Sequence, residues 1–121
     1  MERVDRYQAF MDKVTITNSG YPSYDYDVFP RYKCRVVSIS ASNIVTKHSS
    51  VAVFLVSRTG RFAPMKIGQN HQFGYRDDTV DLPSNLVLNA DVGLRVRYYS
   101  VAQSSVLKTT VVVEPMGEVV P

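Results

Sequence analysis

The chain has 121 residues, a formal charge of +3, 45% hydrophobic and 21% charged residues, and one cysteine. That length supports one hydrophobic core, that composition is globular rather than disordered, and so small a charge permits attraction to polyanions without requiring it. The single cysteine excludes an intrachain disulfide and a cysteine-based zinc site, and no apolar run approaches the roughly 20 residues that cross a bilayer as a helix.

Residues 1–12 begin with mixed charges and lack an apolar centre, unlike a secretory leader. Val4, Tyr7, Phe10 and Met11 recur at intervals of three and four, which reads as a short amphipathic helix or an arm. Alone, so short a helix is marginal, and it needs a surface to pack on. The first strand is expected at residues 13–17, ended by Asn18-Ser19-Gly20. Residues 21–30 read as a loop that carries the densest aromatic and acidic cluster, with Tyr21, Tyr24, Asp25, Tyr26 and Asp27. Carboxylates two apart match a fragment of a calcium loop, but the glycine and distal glutamate that complete one are missing. Tyrosine rings beside carboxylates also suit a sugar, so this loop is an alternative ligand site. A packed loop or a protein contact is the reading preferred for it.

A long strand is expected at residues 32–40. Arg31, Lys33 and Arg35, spaced by two, would share one of its faces, while Cys34 reads as a small buried hydrophobe. Residues 41–50 form a polar connection. Residues 51–58 are apolar at nearly every position, as in a strand covered on both faces, and Thr59-Gly60 closes it. The next strand, residues 61–67, is weaker because Pro64 removes a donor and favours an edge or a bulge. Residues 68–74 are a loop or short strand, and residues 79–82 and 86–90 are short strands punctuated by Pro83-Ser84. Asp91-Val92-Gly93 reads as a turn. Two long strands follow, residues 94–99 and 106–113, with apolar and polar positions alternating. In the first, Leu94, Val96 and Tyr98 should face the core, and Arg95, Arg97 and Tyr99 the solvent. Residues 115–121 combine two prolines and a glycine with Met116, Val119 and Val120, which suits an extended tail, either frayed or used as a docking arm.

Seven to nine strands with no convincing helix between them predict an all-β, single-domain β-sandwich, of jelly-roll or Greek-key order. The predicted organisation is an N-terminal arm or short helix at 1–12, the sandwich at 13–114 and a tail at 115–121. The alternation predicts a core of Val36 or Val37, Ile39, Val53, Leu55, Leu86, Leu88, Leu94, Val96, Tyr98, Val111 and Val113.

Chemistry leaves a fainter trace. Arg31, Lys33 and Arg35 on one strand and Arg95 and Arg97 on another predict two basic stripes, either a solvated face or a docking surface for an acidic protein. Nucleic acid is not the expected partner, since such a surface usually interleaves its charges with exposed rings, whereas Tyr32 falls opposite its basic neighbours. His48 and His71 are isolated, and neither they nor Asp77 and Asp78 stand in a nucleophile–base pattern. No catalytic site, metal or cofactor is expected, and the chain does not read as an enzyme.

The strand Val36-Val37-Ser38-Ile39-Ser40-Ala41-Ser42-Asn43 is followed by the apolar strand Val51-Ala52-Val53-Phe54-Leu55-Val56. Then come Leu86-Val87-Leu88-Asn89-Ala90-Asp91-Val92-Gly93-Leu94-Arg95-Val96-Arg97 and a valine-rich final strand. Over residues 31–114 this pattern resembles small β-sandwich modules of tailed-bacteriophage virions, the capsid cement or decoration proteins and accessory head or tail proteins. In such modules a glycine usually precedes the aspartate, where this chain has Ala90. The resemblance implies a non-enzymatic capsid cement or decoration protein on the capsid surface, made in the host cytoplasm. Its implied partner is the major capsid (coat) protein, and it would form dimers or trimers with no membrane contact. The implied contacts are the terminal arms, Val4, Tyr7, Phe10, Met11, Met116, Val119 and Val120, together with the basic stripes. The alternative is a carbohydrate-binding or adhesive module using the tyrosine- and aspartate-rich loop.

Overall fold

The computed structural model describes residues 7–16, 23–43, 49–73, 78–79, 82–83, 85–99 and 106–116. Its strands are β1 (Gln8–Thr15), β2 (Ser23–Val28), β3 (Cys34–Asn43), β4 (Ser49–Ser57), β5 (Met65–Phe73), β6 (Asp78–Thr79), β7 (Val87–Leu88), β8 (Val92–Tyr99) and β9 (Val106–Pro115). β1 pairs with β9, β2 with β8, β3 with β6 and β7, and β4 with β5, every pair antiparallel. The chain is therefore one long hairpin whose two arms run side by side. Rolling that hairpin lays β9 against β3 and β8 against β4. Two sheets result, β1-β9-β3-β6 with β7 also on β3, and β2-β8-β4-β5. This nested order is the jelly roll, with the short β6 and β7 together filling the place of one strand.

The inner faces meet in a core of Val28, Cys34, Val36, Ile39, Val51, Val53, Leu88, Leu94, Val96, Tyr98, Leu107, Val111 and Val113, all buried. Alternation sets this pattern, because successive side chains in a strand point to opposite faces. At the centre the Tyr98 hydroxyl donates to the Lys108 carbonyl at 2.9 Å and lies 2.6 Å from the Thr109 hydroxyl, so this buried phenol is satisfied. Of the predicted core only Leu55 is merely half-buried. The choice between Val36 and Val37 is made by a register shift between Val36 and Ser38. The extra residue of that bulge turns Val37 outward, 41% exposed, while Val36 stays inside.

Four expectations are corrected. Residues 8–12 form neither helix nor arm, since β1 begins at Gln8 and pairs residue by residue with β9. The three- and four-residue spacing there coincided with a strand alternation in which Phe10, Asp12 and Val14 turn inward. The tyrosine- and aspartate-rich segment is not a loop but β2. The stretch read as a weak strand followed by a loop or short strand is the continuous β5, which does lie at a sheet edge with register shifts against β4, as Pro64 suggested. Asp91-Val92-Gly93 is not a free turn, because β8 starts at Val92. A Cβ on Gly93 would lie 2.4 Å from both the Val28 carbonyl oxygen and the Phe29 ring, so only glycine lets β2 pass this close. The sandwich thus runs from Gln8 to Pro115 rather than over 13–114. Val4, Tyr21, His48, Val119 and Val120 lie outside the described residues, as does the side chain of His71.

Candidate interaction surfaces

The outer face of β2-β8-β4-β5 is a grid of opposite charges. Register places Asp25 opposite Arg97 and Asp27 opposite Arg95. Both pairs are bidentate: Arg97 bonds the two Asp25 oxygens at 2.7 and 3.0 Å, and Arg95 bonds those of Asp27 at 2.8 and 3.0 Å. Arg95 also approaches Asp25 at 3.7 Å, which joins the pairs into a ladder. The guanidinium of Arg97 lies 5.2 Å from the ring centre of Phe54 on β4 and gains cation–π attraction. These bonds hold both arginines more firmly protonated than usual. Arg95 and Arg97 do share an outer face, as expected, but they form no open basic stripe.

Strand geometry also divides the tyrosine–aspartate cluster. With Asp25 and Asp27 turned out, Tyr24 and Tyr26 turn in and pack against the core. Burial raises both phenols, and Tyr24, which donates to Asp12 at 2.8 Å, is pushed up to about 12. A sugar would need rings and carboxylates on one surface. Here Tyr24 and Tyr26 turn inward and both carboxylates are committed to arginines.

The other predicted stripe does not form either. Arg31 sits in a bend with φ of 71° and Lys33 precedes β3, so Arg35 alone of the three lies in the strand. Arg35 bonds Glu114 of β9 at 2.6 Å. Met116 is 39% exposed, and its backbone N–H donates to the Lys33 carbonyl at 2.9 Å, tying the end of β9 to the start of β3.

The outer face of β1 and β9 is different in character. Its rungs are Ala9 opposite Val112, Met11 opposite Thr110 and Lys13 opposite Lys108. Met11 is 69% exposed, and Val37 of the β3 bulge adds to the same face. Phe10 and Met11, grouped together by sequence, are thus on opposite faces, and only Met11 is available to a partner. Tyr7 is exposed beside the start of the strand.

Sequence reading missed a polar knot at one end of the sandwich. Asp91 accepts from the Thr59 N–H at 3.0 Å and hydroxyl at 2.7 Å, and from the Ser57 hydroxyl at 2.9 Å. The Asn89 side chain accepts from the N–H groups of Asp91 and Val92 at 2.9 and 3.0 Å. Together these fasten the turn after β4 to the start of β8. The spacings Asn89-x-Asp91 and Ser57-x-Thr59, residues that bond backbone locally, were the legible signal. The bonds from Thr59 and Ser57 hold the Asp91 carboxyl below its usual range.

Among the described residues no group of histidine, cysteine, aspartate and glutamate is placed to hold a metal ion. Cys34 is fully buried and its thiol is pushed up by desolvation, which suppresses the thiolate a reaction would need. Comparison with protein-family models, curated proteins and solved structures found no match to this chain.

Proposed function

We propose that the chain is a non-enzymatic structural protein of a virus particle, a capsid cement or decoration protein that binds between coat subunits and stabilises the shell. The observation that carries this reading is the strand order, β1-β9-β3-β6 facing β2-β8-β4-β5, because the jelly roll is a recurrent building module of virus shells. Lectins use the same architecture, but the inward tyrosines and arginine-bound aspartates of β2 disfavour that alternative. In this reading the sandwich is a rigid block. Its charge ladder holds one face in a fixed pattern, its other face meets the coat protein, and copies associate as dimers or trimers on the capsid surface.

The test is co-sedimentation of the purified chain with intact shells of the virus that encodes it. Binding should saturate at a fixed ratio to coat protein and raise the temperature at which the shells rupture. Sedimentation independent of shells, or retention on a glycan array with no effect on shells, defeats the proposal.

A further inference from the structure

Five carboxylates of the described strands and turns are committed. Asp12 accepts from Tyr24, Asp25 and Asp27 bind arginines, Asp91 sits in its knot and Glu114 bonds Arg35. Against that background Lys13 and Lys108 stand directly opposite each other on β1 and β9, both exposed. Among the described residues neither has a carboxylate partner. Like charges on one rung repel, so the isolated protein tolerates an unfavourable pair that a bound anionic group would relieve. Along the same face lie Met11, Thr110, Val112 and Val37, a stretch without charge.

From this juxtaposition we infer that the outer face of β1 and β9 docks an acidic protein surface, one that sets carboxylates over Lys13 and Lys108 and apolar side chains over Met11 and Val112. The inference rests on the structural role proposed above and names the face and the partner chemistry. A second copy does not fit this face, because the one described carboxylate a copy would bring there, Glu114, is bound by its own Arg35. A nucleic acid fits poorly, since the lysines adjoin methionine and valine rather than exposed rings.

The test measures binding of the full chain and two variants to purified shells and, separately, to an immobilised glutamate–leucine copolymer. Lys108→Glu converts the repelling rung into an attracting one, so its melting temperature should equal or exceed the parent's. Its affinity for both probes should nevertheless fall at least about tenfold, as for loss of a contacting interfacial charge. Lys66→Glu makes the same charge change on β5 of the other sheet and should bind like the parent. Equal weakening by both variants means that net charge governs binding and overturns the inference. If shells bind the parent and Lys108→Glu alike, the docking face is wrong while the structural role stands. If only the copolymer shows the expected pattern, the face stands and the virion role falls. Binding of the parent to neither probe overturns both, and retention of random duplex DNA that is lost in Lys108→Glu assigns the face to nucleic acid instead.

Discussion

Tyr24 donates its phenolic hydrogen to Asp12 at 2.8 Å, and this bond joins β2 of one sheet to β1 of the other. Tyr32 makes a second tie to β1 by donating to Gln8. β1 is an edge strand with no fully buried residue of its own, so side-chain bonds of this kind help hold it in place.

Tyr24→Phe removes the donor and leaves a half-buried carboxylate without it, at a cost of about 1–2 kcal/mol in chemical denaturation. A pH dependence follows from the burial of Tyr24 and, after it, from the same bond. Between the ordinary tyrosine value of 10.0 and about 12, the unfolded chain releases the Tyr24 proton while the folded chain keeps it. The unfolded state binds fewer protons there, so stability is intact below that window and falls as pH rises through it. In Tyr24→Phe this part of the decline should be missing, which unfolding curves across the window would show.

The bidentate Asp25–Arg97 pair makes Arg97 more than a solvated charge. Arg97→Glu sets two carboxylates face to face and removes the cation from Phe54, and should destabilise the fold by about 1 kcal/mol. Adding Asp25→Arg should recover part of that loss, so that a double-mutant cycle reports a coupling well above zero. Val96→Asp, one position away but facing inward, should abolish cooperative unfolding altogether, because it buries an unpaired charge.

Asp91 is bonded by Thr59 and Ser57, and its carboxyl titrates below the usual range as a result. Its contribution is therefore full above the ordinary aspartate value and is lost as pH falls through the lowered one. Asp91→Ala should melt earlier than the parent at neutral pH, and the two melting curves should converge in acid. A constant gap at every pH would show that the carboxylate's charge is irrelevant to the knot.

Truncation separates an arm from a strand. Deleting residues 1–11 takes away the rungs from Gln8 to Met11 and the packing of Phe10. The loss of apolar burial alone is about 2 kcal/mol, so the melting temperature should drop clearly. Unchanged stability would mean that β1 contributes nothing to the sandwich and would restore the arm reading.

What the sequence determined by itself is whatever depends on periods of two within one strand. Leu94, Val96 and Tyr98 inside with Arg95 and Arg97 outside, Cys34 buried, and the all-β class were legible because alternation is a local property of the chain. Tertiary structure decided what depends on which strand lies beside which. Val4 through Met11 showed helical spacing over a segment that β9 captures as a strand from Gln8, since a ladder to a long partner outweighs a weak local preference. Asp25 and Asp27 lie about seventy positions from the arginines that neutralise them, and Lys13 lies still farther in sequence from the lysine it faces. No pattern within a strand encodes a register between strands so distant. Rolling the nested hairpin sets those registers, and with them which charges are satisfied and which stay open.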